Sequence, residues 1–169
     1  MDLNTILKEK KEKNIVLKNK YDLQQKDKAL GLIKISNKAL IKDLRDALLI
    51  LPSGFILEIE GVETEKLGAN IIATSKVVDS DLIGFDFIVC DENVSNLNKY
   101  LELGIAPLIS SKNQLKSILK EFNPAKNEGN AYLFENLDKW SIFYAMVRYF
   151  ENYKFTFDNK NLVKNIINL

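Results

Sequence analysis

Four short polar stretches carry the residue types that can do chemistry. Ser36-Asn37-Lys38 places a lysine where a polar run gives way to a helical pattern. Backbone N–H groups and an ammonium at a helix start can hold a phosphate. The stretch has no glycine, which hinders close backbone approach, and a plain capped helix start is the other reading. Asp91-Glu92-Asn93-Val94-Ser95-Asn96 offers two adjacent carboxylates. They can act as acid and base, bind a cation or accept sugar hydroxyls. They equally suit the electrostatics of a helix N-terminus. Ser110-Ser111-Lys112-Asn113-Gln114 presents hydroxyls and a lysine to an anion, or is a hydrophilic surface loop. Glu128-Gly129-Asn130 reads as a turn.

Other chemistries are excluded by count. The 169 residues contain no histidine, so there is no Ser-His-Asp triad, no Cys-His dyad and no His-ligated metal. Cys90 is the single cysteine, which removes disulfide frameworks and Cys-rich zinc sites. Its neighbours Phe87-Ile88-Val89 make it a small core residue rather than a reactive thiol. One unpaired cysteine fits a reducing cytoplasm. Nothing in the composition demands a cofactor. The net charge is +1 and only Arg45 and Arg148 are arginines, so neither nucleic acid nor an anionic membrane surface is an expected partner. No apolar run reaches the ~20 residues of a membrane span. The start, Met1-Asp2-Leu3-Asn4, lacks the basic-then-apolar order of a signal peptide.

The elements that must position these loops follow from periodicity. Residues 1–28 form a Lys-rich helical segment, with eight lysines against five carboxylates over 2–28. Leu3, Ile6, Leu7, Ile15, Val16 and Leu17 give it one docking edge. Short apolar runs at 29–36, 55–59, 69–73, 85–90, 105–109 and 131–134 predict six buried strands. Between them lie helical patterns at 38–51, 95–103 and 114–122, and a brief helical or irregular piece at 76–83. Gly104 is placed to cap one helix in the left-handed region. Pro107 predicts an interrupted or terminal ladder position. Asp138 is expected to cap a long helix to Tyr153, and Asp158 a last one to the C-terminus.

Strands that are apolar on both faces and alternate with helices predict a parallel sheet covered on both sides. The expected fold is α/β: a single Rossmann-like domain over 29–153, with an open, mostly parallel six-stranded sheet and helices on both faces. Residues 154–169 form a C-terminal helical tail. Ligands bind such sheets beyond the carboxyl ends of the strands, which is where the four polar stretches are expected. The long helix is apolar over most of its circumference. Trp140, Phe143 and Tyr144, with Phe155 and Phe157 after it, exceed what one sheet face can bury and predict a partner interface, either a second protein or another copy of the chain.

From about residue 21 to 165 the order of pieces resembles the C-terminal, nucleotide-sugar donor domain of GT-B glycosyltransferases, most nearly glycogen and starch synthases. Phe85-Asp86-Phe87-Ile88-Val89 looks like the family's Ala-Asp strand. Gly104 and Pro107 sit at its Gly-x-x-Pro, and Leu115 at the Leu of its Gly-Gly-Leu turn. Gly129 to Phe134 followed by Glu135 resembles its Gly-x-Gly-Phe-x-Phe-Glu segment, and Trp140-Ser141 with Ala145 and Arg148 its next helix. Upstream, Gly31 to Leu48 resembles the first strand and helix, with Lys38 at the family's lysine.

The resemblance implies donor-binding positions at Lys38, Asp91, Glu92, Asn113 and Gln114. It also locates departures. Ile35 falls near the family's first-loop arginine, Val94 at a glycine, Lys99 at the second carboxylate of a spaced pair, and Asn113-Gln114 at the Gly-Gly pair. A diphosphate binds where glycine admits close backbone approach, so these larger side chains are expected to obstruct it. Transfer also needs a second domain to hold the acceptor and exclude water. Three readings follow. The first is a non-catalytic, single-domain relative acting through protein–protein contact. The second is the donor-binding half of a split glycosyltransferase, inactive alone, that transfers glucose from a nucleotide sugar. The third is an unrelated regulatory Rossmann-like binding domain.

Overall fold

The computed structural model describes residues 1–24 and 28–169; Lys26 and Asp27 of the Lys-rich segment lie outside the described residues. Helix α1 (Leu3–Lys20) begins where the Asp2 carboxylate accepts the backbone N–H groups of Asn4 and Thr5. Strand β1 (Ala29–Lys34) is buried over its first five residues. Helix α2 (Lys38–Leu49) is capped by Asn37, whose side-chain oxygen accepts the Leu40 N–H, and turns Leu40, Ile41, Leu44 and Leu48 inward. There follow β2 (Ser53–Glu58), β3 (Glu65–Gly68), β4 (Ile71–Thr74), a 3-10 turn (Asp79–Gly84), β5 (Phe87–Cys90), α3 (Leu97–Glu102), β6 (Ala106–Ser110), β7 (Tyr132–Phe134), α4 (Lys139–Tyr153) and α5 (Thr156–Ile167).

One seven-stranded sheet runs β3-β4-β2-β1-β5-β6-β7. All neighbours are parallel except β3, which pairs antiparallel with β4. The expected six parallel strands are therefore present, with one edge strand added. The chain travels outward from β1 to β4, then returns to β5 and travels the other way. That reversal makes β1/β5 the topological switch point. Right-handed crossovers then send the β1–β2 and β5–β6 helices to opposite faces. Accordingly α2 packs with α4, while α3 packs with α5 and α1 with α5.

Several local expectations meet their physical test. Gly104 turns at φ +63 directly after α3. Pro107 pairs with Ile88 of β5, and the β6–β7 ladder starts only at Leu108, so its missing N–H leaves no gap in that ladder. Asp138 caps α4 by accepting the Ser141 N–H at 2.9 Å. Cys90 is buried among apolar residues, and burial pushes its thiol well up, away from the reactive thiolate.

Others need correction. Residues 114–118 form turns and Glu121 bridges to Ala131, so 114–122 is not a helix. Side-chain amides compete there for the backbone: Asn113 accepts the Leu115 N–H at 2.7 Å, and Asn130 accepts the Lys120 N–H at 2.9 Å while donating to Ile118 O at 3.0 Å. Asp158 does not cap α5; Phe155 occupies the N-cap without a side-chain bond, and Asp158 lies in the first turn. Neither Asp91 nor Glu92 caps α3, whose N-cap is Asn96 in the left-handed region. The docking edge of α1 is more polar than its apolar pattern implies. Ile6 and Leu17 are buried, but so are Lys10, Asn14 and Lys18, while Ile15 and Val16 are exposed.

Candidate functional site

A cleft of about 440 Å³ opens at the carboxyl ends of β1, β2, β4 and β5, over the switch point. Its floor is charged. Lys34, the last residue of β1, pairs with Glu58, the last residue of β2, at 2.5 Å. The second Glu58 oxygen accepts the Val77 N–H at 3.0 Å. Burial works against the Lys34 ammonium, but the Glu58 carboxylate and the Tyr100 phenol outweigh it and raise its proton affinity. Ser36, Lys38, Glu60, Lys76 and Val94 stand around this floor. Lys38 is exposed as the first residue of α2, so the helix N-terminus and an ammonium face the same space.

Asp91, one residue beyond β5, also lines the cleft but is only 2% exposed. Its carboxylate accepts the Ser36 N–H at 2.9 Å, the Ser36 hydroxyl at 2.6 Å and the Asn93 N–H at 3.1 Å. Three donors on one carboxylate consume most of its accepting capacity. Asp91 therefore ties the end of β1 to the end of β5.

Glu92 and Gln114 line a second, smaller cleft of about 190 Å³ at the ends of β5 and β6, with Leu115. Val94 lines both clefts and stands between them. Asn113 lines neither; it is buried, donates to Ser110 O at 2.6 Å and holds the turn after β6. The structure thus brings Lys38 together with Asp91, and Glu92 with Gln114, in separate hollows. Lys99 leaves both and pairs with Asp79 at 2.5 Å. Glu128-Gly129-Asn130 precedes β7 and so lies at the amino-terminal edge of the sheet, opposite the clefts, contrary to the expected grouping of the four loops. The Lys34–Glu58 pair was not singled out from sequence; its signal was a charge at the end of each of two adjacent apolar runs.

The aromatic residues divide into two places. Trp140 and Tyr144 are 58% and 59% exposed in the first turns of α4, and Phe143 packs edge-on against both. Phe155 and Phe157, also exposed, lie past the other end of α4, on the order of 20 Å away at 1.5 Å per residue.

A seven-stranded, doubly wound sheet with its clefts at the switch point defines a Rossmann-like domain. Solved structures similar to it include GT-B glycosyltransferases. The catalytic domain of starch synthase IV from Arabidopsis thaliana, bound to ADP and acarbose, superposes with a TM-score of 0.73 at 16% identity, over 95% of this chain and 39% of that one. The spinosyn forosaminyltransferase SpnP gives 0.58 at 13% identity over 82% of this chain and 39% of its own, and the calicheamicin glycosyltransferase CalG4 gives 0.55 at 14% over 84% and 39%. This chain therefore has the fold of a GT-B carboxyl-terminal domain and spans about 39% of the length of these proteins. No protein-family model matches the sequence, and no curated protein matches it. Among the described residues, no helix is long and apolar enough to cross a membrane.

Proposed function

We propose that this chain is a non-catalytic relative of the GT-B donor domain that acts by docking to a partner protein. The observation that carries the reading is the commitment of Asp91. The carboxylate that the resemblance assigns to the donor-sugar contact is spent on Ser36 and Asn93, inside the chain. Val94 supports it by dividing the space over β5 into two hollows. The first turns of α4, with Trp140, Phe143 and Tyr144, supply the docking face. Phe155 and Phe157 form a separate contact at the far end.

One observation favours a second reading, the donor-binding half of a split transferase. The larger cleft keeps Lys38 and Lys76 for a diphosphate. Glu60, just past β2, stands where Rossmann-like sheets carry the carboxylate that accepts ribose hydroxyls. Titration with ADP, UDP and their glucose conjugates separates the two. A nucleotide sugar bound at 100 times its dissociation constant adds about 2.7 kcal/mol, or several degrees of melting temperature. The first reading expects no rise that depends on Lys38. A saturable rise that Lys38→Ala removes replaces it with the second.

A further inference from the structure

A further concavity lies at the opposite end of the same switch point. A cavity of about 540 Å³ lies at the amino-terminal ends of β1 and β5, between α1 and the α4–α5 junction. Lys10, Lys11 and Lys28 line it, against the single carboxylate of Asp86. Asp86 is already engaged, accepting the Leu30 N–H at 2.8 Å and the Asn14 amide at 3.0 Å. Leu7, Ile15 and Tyr153 supply an apolar wall.

Lys10 is the unusual member. It is 5% exposed and forms no ion pair among the described residues. Its ammonium donates to Phe85 O at 2.6 Å and, at the limit of hydrogen bonding, to Ile83 O at 3.5 Å. An ammonium has three hydrogens, so one has no partner among the described residues. Burial, only partly offset by Asp86, lowers its proton affinity to about 8. A buried cation whose nearest partners are carbonyl dipoles is stabilised by any anion that enters beside it. The Tyr149 phenol, which packs against Tyr153, is also fully buried and has no hydrogen-bond partner among the described residues.

We propose that this rear cavity binds a small organic anion, a phosphate or carboxylate attached to an apolar or aromatic body. The anionic head sits among Lys10, Lys11 and Lys28, and the body lies on Leu7, Ile15 and Tyr153. The volume falls within the ~300–1,000 Å³ of small-molecule sites. The site shares no lining residue with the front cleft, so it stands independently of the donor-domain reading.

The test is calorimetric titration of the full chain with phenyl phosphate, inorganic phosphate and phenol. Phenyl phosphate is expected to bind saturably, at least about tenfold tighter than inorganic phosphate, and phenol not at all. Lys11 and Lys28 are exposed, so the double variant K11A/K28A keeps the fold and is expected to weaken phenyl phosphate about tenfold or more. Lys38→Ala, in the front cleft, is expected to leave it unchanged. Absence of saturable binding, equal affinity for inorganic phosphate, full affinity in K11A/K28A, or loss in Lys38→Ala each overturns the proposal.

Discussion

Two aspartates set the energetics of single residues at the switch point, and they do so from opposite ends of β5. Asp91 holds Ser36 and Asn93 at the front. Asp91→Ala removes three hydrogen bonds, but Ser36 and Asn93 are exposed and water can replace part of what is lost. The expected cost is about 1–3 kcal/mol in urea denaturation, and a loss below a few tenths contradicts the tie. At the rear, Lys10 gives a pH signature. Its folded value of about 8 lies below its ordinary 10.5. Between those values the unfolded chain holds a proton that the folded chain has released, so stability from this group rises with pH. Above about 10 the buried phenols of Tyr132, Tyr149 and Tyr153, all pushed up by burial, act in the other direction. Lys10→Met leaves those phenols in place. The unfolding free energy of the unsubstituted chain minus that of Lys10→Met is expected to grow by up to about 3 kcal/mol from pH 8 to 10.5. A difference that stays flat with pH sinks the assignment.

At the scale of elements, packing across the sheet is close where Phe87 lies over Gly31. Phe87 also meets Tyr149 at 4.7 Å and Phe150 at 5.5 Å between ring centres, and a Cβ on Gly31 would overlap its ring. Gly31→Ala is expected to cost about 1–3 kcal/mol by thermal or chemical unfolding, because no neighbour in that aromatic cluster has room to yield. The six parallel strands were legible in the sequence because burial on both faces writes itself as continuous apolar runs. Glu65-Lys66-Leu67-Gly68 was not, since an edge strand needs only one neighbour and little apolar surface. Leu115, Ile118, Leu119 and Phe122 have helical spacing, yet the amides of Asn113 and Asn130 take the backbone groups a helix would need. That competition depends on residues brought close only by the fold. The candidate site was legible as loops but not as geometry. Strand ends located Lys38 and Asp91 in one cleft, whereas the engagement of Asp91 by Ser36, 55 residues earlier, has no local sequence signal.

For the whole molecule, the attachment of α1 is ionic as much as apolar. Lys13 and Lys20 both reach Asp81, at 2.7 and 3.3 Å, while Leu17 and the stem of Lys13 crowd Gly84. At 1 M ionic strength the Debye length falls to about 3 Å, which weakens the Lys20–Asp81 pair, at 3.3 Å and with a half-exposed ammonium, more than the shorter Lys13–Asp81 pair. Limited proteolysis within 3–20 is expected to accelerate several-fold between low salt and 1 M NaCl, with the sheet left intact. Cleavage that ignores salt assigns the docking to the buried contacts, Ile6 and Leu17 with the Lys10 and Asn14 hydrogen bonds, and not to the Asp81 pairs.

The β1–β5 contact has a consequence for how the two halves of the chain recognise each other. Residues 29–74 supply one side of the sheet and residues 87–134 the other. Asp86 grips Leu30, Asp91 grips Ser36, and between them the bare backbone of Gly31 receives the Phe87 ring. A slip of one residue would put Leu30 or Leu32 beneath that ring and break both grips together. The seam works as a keyed joint, with a bolt at each end and a notch between, and a chain severed at 75–78 carries complementary parts of that key on its two fragments.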